Sequence, residues 1–249
     1  MAVSGYKEKE GESLTPFYNL ITTKSAWLKH SVKPWLKTGT EDELASRPYN
    51  TERILHYAAA LQLVSSKTTI PVPRLIDFGK NDDGTAWIEL ERPRGVWLDV
   101  VGDQCRMPAG KKHVADGGEC DECDRIARAN ARRFIAEEVV PQLNSLTSDT
   151  TGLDGVVIPP LWVQFHTKTA YWPSKKSASG QQEYVFCHGN LHGHSIMMHA
   201  ETLHVLKIVD WEDAGYFPPE FQLWSVERSD YEDLYENDEQ RKRLTALMM

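Results

Sequence analysis

Two short apolar runs late in the chain, "YVFC" at 184–187 and "VLKIV" at 205–209, each stop on a polar cluster, His188–Asn190 in the first case and Asp210–Asp213 in the second. Apolar runs of this length bounded by polar groups read as buried strands. If the two strands are neighbours joined by a short hairpin, both polar ends fall on one sheet edge, where loop residues can carry function. Such an edge suits a metal and phosphate groups. Phosphoryl transfer asks a protein for a carboxylate on Mg²⁺, a second ligand, a group that orients the acceptor hydroxyl, and a lysine on the phosphates. The same stretch raises a second chemistry, because "HGNLHGHSIMMH" contains His188, His192, His194 and His199, and imidazole is the commonest transition-metal ligand. The plainer reading of these histidines is a loop in which His188 is scaffold and the others face water.

Around this region the elements follow in one series with no internal repeat, and 249 residues suit a single two-lobed unit. "SAWLKHSVKPWLKTG" supplies a strand or two around Pro34. "NTERILHYAAALQLVSS" places Ile54, Leu55, Ala58, Leu61 and Val64 at helical spacing behind an Asn50 or Thr51 cap. "IPVPRLIDFGKNDDGTAWIELERPRG" reads as a hairpin turning at Asn81–Gly84. "DRIARANARRFIAEEVVPQLNSL" is the clearest amphipathic helix and is expected to stop near Pro141. Residues 148–182 read as a long surface excursion with Trp162 and Trp172 buried, and the segment from Leu223 as a charged helix.

The motifs "HGNLHGHSIMM" and "IVDWEDAGYFPPEF", with "IPVPRLIDFG" and "WIELERPRG" upstream, resemble the aminoglycoside phosphotransferase/choline kinase-like family over roughly residues 30 to 225. The resemblance implies an α+β, two-lobed protein-kinase-like fold: a small β-rich lobe with one helix over 1–95, and a larger, mainly helical lobe over 96–249 that holds the catalytic-loop and metal-side motifs. It also implies Mg²⁺ and ATP as cofactors and a small-molecule substrate or ligand in the cleft between the lobes. Residue by residue, it makes Asp210 the main Mg²⁺ ligand and Lys37 the phosphate-pairing lysine, with Lys33 as competitor. Glu52 becomes the helix partner of that lysine, Glu91 and Arg92 line the adenine site through backbone atoms, and His188 fixes the catalytic loop beside His192.

Departures from the family pattern are concentrated in the site. The family's catalytic aspartate is Asn190 here, and its Mg-binding asparagine is Ser195. An amide can orient a hydroxyl but cannot take its proton, and losing a general base costs ~10²–10⁴ in rate. A serine hydroxyl is a weaker Mg²⁺ ligand, and residues 12–38, where a phosphate-covering loop belongs, contain no glycine. Three functions follow as expectations: a degenerate kinase, or a cleft recruited for other small-molecule chemistry in specialised metabolism; an active Mg/ATP-dependent phosphotransferase; and a metal-dependent enzyme built on His188, His192 and His194.

Several outcomes are disfavoured or left open. A net charge of −8 without a basic stripe argues against nucleic-acid binding. No uncharged run reaches the ~20 residues of a membrane span, and no apolar leader is evident, so a cytoplasmic protein is expected. Of four cysteines, Cys187 follows "YVF" and reads as packed inside. Cys105, His113, Cys120 and Cys123 have the ligand count of a structural zinc site, although only one tight Cys-x₂-Cys pair is present; the plainer reading is free loop thiols. Trp97, in the segment assigned to acceptor recognition, is placed to stack on an aromatic or cationic ligand. Oligomeric state is not written in the sequence.

Overall fold

The structure, a computed structural model, describes residues 10–14, 18–32, 49–115, 117–160, 162–164, 171–227 and 234–249. The first lobe is a five-stranded antiparallel sheet backed by one helix. Its strands are β1 (Gly11–Leu14), β2 (Tyr18–Thr22), β3 (Ala26–Ser31), β4 (Leu75–Lys80) and β5 (Ala86–Glu91), ordered β1-β2-β3-β5-β4. The expected hairpin is β4 and β5, closed where the Asn81 N–H meets the Thr85 carbonyl at 2.8 Å and Gly84 takes φ +85°. Helix α1 (Asn50–Lys67) buries Ile54, Tyr57, Ala58, Leu61 and Val64, one face at helical spacing. That face shares a core with Trp27 of β3 and with Ile88 and Leu90 of β5.

The second lobe uses two small sheets and two main helical segments. In the first sheet, β6 (Val96–Trp97) and β10 (Val205–Ile208) flank β9 (Ile196–Met198); in the second, β7 (Thr147–Ser148) and β11 (Gly215–Phe217) flank β8 (Tyr184–Cys187). The two apolar runs that opened the sequence reading, now β8 and β10, are therefore not hairpin neighbours. The chain leaves β8, loops, and forms β9 before β10, so β10 pairs with β9, and β8 pairs with β11 beyond the acidic turn.

Pro141 does not end its helix either. Helix α2 (Asp121–Phe134) passes through a π-helical turn at Ile135–Val139 into α3 (Val140–Ser145). In that turn the Val140 N–H reaches back five residues to the Ile135 carbonyl. The wider turn shifts the backbone just where proline would otherwise strike the preceding turn and offers no N–H.

Residues 148–182 form more than a surface excursion. Val157, Trp162, Val163 and Trp172 build a second core with Val185, Phe217, Phe221, Leu234 and Leu244. This core seats the last helix, α4 (Asp238–Met248), capped by Asn237 Oδ1 accepting the Gln240 N–H at 3.0 Å; of the segment expected to be helical from Leu223, residues 228–233 lie outside the described residues. Among the described residues no helix is long and apolar enough to cross a membrane.

Candidate functional site

The point where the lobes meet is built around a lysine that the sequence reading passed over. Lys29 lies inside β3 at a position that alternates with Trp27 and Ser31, so all three point toward the same buried side. Its Nζ lies 2.6 Å from Asp210 Oδ1 and 3.9 Å from Glu212 Oε2. Burial works to lower the Lys29 pKa, but Asp210, Tyr18, Glu212 and Tyr57 outweigh it and hold the group well above its ordinary value. The rings of Tyr18 and Tyr57 lie 4.5 and 5.1 Å from the ammonium. The lysine is thus a fixed, charged group.

Asp210 sits in the left-handed region, φ 61° and ψ 51°, at the head of a short 3-10 turn, Trp211–Asp213. A residue without glycine's freedom keeps that backbone only where its surroundings hold it. Helix α1 does the holding. The Asp210 N–H donates to the Tyr57 hydroxyl at 2.9 Å, and Arg53 forms a buried ion pair with Asp213. Glu52, one position earlier on α1, is half-buried, and among the described residues Lys29 pairs with Asp210 and Glu212 rather than with it. Lys33 and Lys37 lie outside the described residues.

The loop after β8 is tied to the acidic turn by His188. The Asn190 N–H donates to His188 Nδ1 at 3.2 Å, which leaves the ring proton on Nε2 to reach the Val209 carbonyl at 2.9 Å. Both ring nitrogens are used, and burial lowers the His188 pKa to about 4, so the imidazole is neutral near pH 7. This single side chain does what the expected hairpin does not, bridging the two sheets. Gly189, at φ +80°, lies so close to the Asp213 carbonyl that a Cβ there would collide with it.

Ser195 Oγ accepts the His192 N–H at 3.0 Å and reaches the Asn190 and His192 carbonyls at 2.9 Å each. The hydroxyl is 1% exposed and occupied by its own loop. Asn190 Oδ1, by contrast, is buried without a hydrogen-bond partner. His192 Nδ1 accepts the His194 N–H at 3.3 Å, and His194 Nδ1 contacts Asp99. His199 accepts the N–H groups of Glu201 and Thr202, 3.3 Å each. Each of the four histidines thus commits its Nδ1 within the chain, His188, His192 and His199 to nearby N–H groups and His194 to Asp99. Among the described residues, the one group of three or more side chains placed to hold a metal is Cys105, His113, Cys120 and Cys123.

At the end of β5, where the sequence places an adenine site, the Glu91 and Arg92 N–H groups donate to the Arg74 and Ser25 carbonyls, each at 2.9 Å. Trp27, two positions before Lys29 on the same strand face, stacks on Trp97 of β6 with ring centroids 6.0 Å apart and planes 4° from parallel. Trp97 thus finds its aromatic partner within the chain. Cys187 is buried, and burial pushes its thiol pKa up, away from nucleophilic use.

Comparison with known proteins places this geometry. A family model described as "Phosphotransferase enzyme family" matches residues 35–240. No curated protein sequence matches the chain. Solved structures similar to it include the GDP complex of wild-type aminoglycoside 2'-phosphotransferase-IIIa, 13% identical over 96% of this chain and 75% of that one, with a TM-score of 0.48. They also include an aminoglycoside-3'-phosphotransferase of type VIII, 15% identical over 96% and 83%, with a TM-score of 0.46. At these scores the structural likenesses carry no weight beside the family match.

Proposed function

Given that the chain belongs to the phosphotransferase enzyme family, we propose that it is a degenerate member, whose cleft binds a small molecule but does not carry out ordinary nucleotide-dependent phosphoryl transfer. The observation that carries this reading is the closure of the cleft's functional groups on one another. Lys29 and Asp210 pair at 2.6 Å, and the Trp27–Trp97 stack lies beside them.

Residues two apart on a strand are separated by ~7 Å, the scale that separates a nucleotide's phosphates from its base. With phosphates at Lys29, the role such a lysine plays in kinases, the base would compete with Trp27 for space. The Mg²⁺ and ATP of the family fit this donor set poorly. Asp210 commits its Oδ1 to Lys29, Ser195 keeps its hydroxyl within its loop, and Asn190 supplies a neutral amide. On this reading Asn190 Oδ1 accepts a hydrogen bond from a ligand hydroxyl, and the Lys29–Asp210–Glu212 set orients a polar group beside it.

A second reading, an active phosphotransferase, is favoured by one observation. The orphaned Asn190 Oδ1 is suited to hold an acceptor hydroxyl, and phosphoryl transfer depends more on positioning than on a base. Thermal unfolding with millimolar Mg·ATP or Mg·GTP separates the two. The degenerate reading expects no stabilisation. A nucleotide-dependent rise that disappears in Asp210→Ala would sink it, because a ligand bound only by the native state must raise apparent stability. Trp27→Ala sharpens the test. If the stack is the obstacle, the variant gains a nucleotide-dependent shift that the parent lacks.

A further inference from the structure

Between β6 and α2, the segment from Leu98 to Cys120 has little regular structure beyond a 3-10 turn at Leu98–Asp103, and it folds back so that four side chains far apart in sequence converge. We propose that Cys105, Cys120, Cys123 and His113, through Nδ1, bind a structural zinc ion.

The argument is geometric. All four candidate ligand atoms lie within 4.8 Å of one another. A tetrahedral site with Zn–S ~2.3 Å and Zn–N ~2.0–2.1 Å has edges of about 3.8 Å between sulfurs and about 3.6 Å between sulfur and nitrogen. Cys123 Sγ lies 4.0 Å from Cys105 Sγ, and His113 Nδ1 lies 3.4 Å from Cys120 Sγ and 3.5 Å from Cys123 Sγ. The remaining edges are within 4.8 Å, so shifts of no more than about 1 Å complete the tetrahedron.

The backbone is arranged for thiolates. N–H groups of Arg106, His113 and Cys123 point at the sulfurs of Cys123, Cys105 and Cys120, at 3.3, 3.3 and 3.4 Å. Amide donors of this kind stabilise metal-bound sulfur and set its orientation. Packing alone would account for three buried sulfurs, and the exposed His113, which turns its Nδ1 onto two of them, adds the fourth donor of a tetrahedral set. A disulfide would use two sulfurs and leave the third unmatched.

Such an ion would hold more than its own loop. It closes a segment whose ends are already paired by Cys105 N–H to the Gly118 carbonyl and Cys120 N–H to the Gly102 carbonyl, each 2.8 Å. Immediately upstream stand Trp97, stacked on Trp27, and Asp99, in contact with His194. The ion would therefore brace the cleft wall formed by these two residues, and it does so whether or not the cleft transfers phosphate.

The test uses the full chain, expressed with zinc and purified under reducing conditions. Elemental analysis is expected to find one equivalent of zinc per chain, lost to background in Cys123→Ser and in His113→Ala and kept in Cys187→Ser. His113 is exposed, so its variant remains informative if the cysteine variant fails to fold. Cobalt exchanged into the parent should give thiolate charge-transfer bands and the visible bands of a tetrahedral ion. Chelation should lower the parent's melting temperature, and added zinc should restore it. A reduced, zinc-supplied protein without metal, zinc retained in both His113→Ala and Cys123→Ser, or an intact mass two hydrogens light would each overturn the proposal.

Discussion

The histidine loop at 188–199 and the Cys/His cluster at 105–123 make opposite use of the same kinds of side chain. In the loop, four imidazoles crowd into twelve positions, yet each Nδ1 is committed nearby, to an N–H group for His188, His192 and His199 and to Asp99 for His194, and His188 Nε2 reaches the Val209 carbonyl. In the cluster, one histidine and three cysteines spread over nineteen positions turn their donor atoms to a common point. Density of metal-type residues in sequence is a poor guide to ligation. What matters is whether lone pairs remain uncommitted once the backbone has taken what it needs.

The largest effect that could break this contrast concerns the cluster. If the ion is structural, stripping it should lower the melting temperature by more than 10 °C, equivalent to about 5 kcal/mol, whereas chelation should leave a His192→Gln variant as sensitive as the parent.

Next comes the pair that anchors the acidic turn, Arg53 with Asp213, both fully buried. Asp213→Ala leaves an uncompensated cation and should cost ~3–5 kcal/mol, roughly 10 °C. Replacing both partners with apolar residues should recover much of that loss. Calorimetry of the single and double variants checks it.

A third prediction is acid sensitivity. His188 and His56 are buried neutral, with pKa values lowered to about 4 mainly by burial. The unfolded chain titrates them near 6.5, so between these values it binds more protons than the native state, and stability falls as pH drops through this window. Each contributes a slope of up to about 1.4 kcal/mol per pH unit. His56→Gln should flatten that limb in denaturant titrations from pH 7 to 4; an unchanged slope would show that the native histidine is not held neutral.

The smallest effect belongs to His199, exposed and bonded only to nearby amides. His199→Ala should move stability by no more than ~0.5 kcal/mol and leave metal content untouched.

The sequence was most legible where periodicity and punctuation acted locally. Helix α1 and the β4–β5 hairpin follow from spacing and a turn signal, and Asp210 was marked by the apolar run that ends on it. Lys29 was readable in principle, since a lysine alternating with Trp27 and Ser31 inside a strand needs a buried anion. The resemblance points instead to Lys37 or Lys33, on either side of Pro34, and strand sides cannot be assigned until the sheet is known. Pro141 misled for a related reason: a π turn accommodates it, and nothing in the local sequence announces that turn.

By itself, then, the sequence determined the family and the α+β two-lobed fold, because these rest on residue types at fixed spacings. The tertiary structure alone decided which lysine faces Asp210, that Trp27 meets Trp97, and that three cysteines and a histidine converge. Each of those depends on how strands from different sheets and a loop without regular pattern approach in space, and a linear pattern carries no distance between residues that only packing brings together.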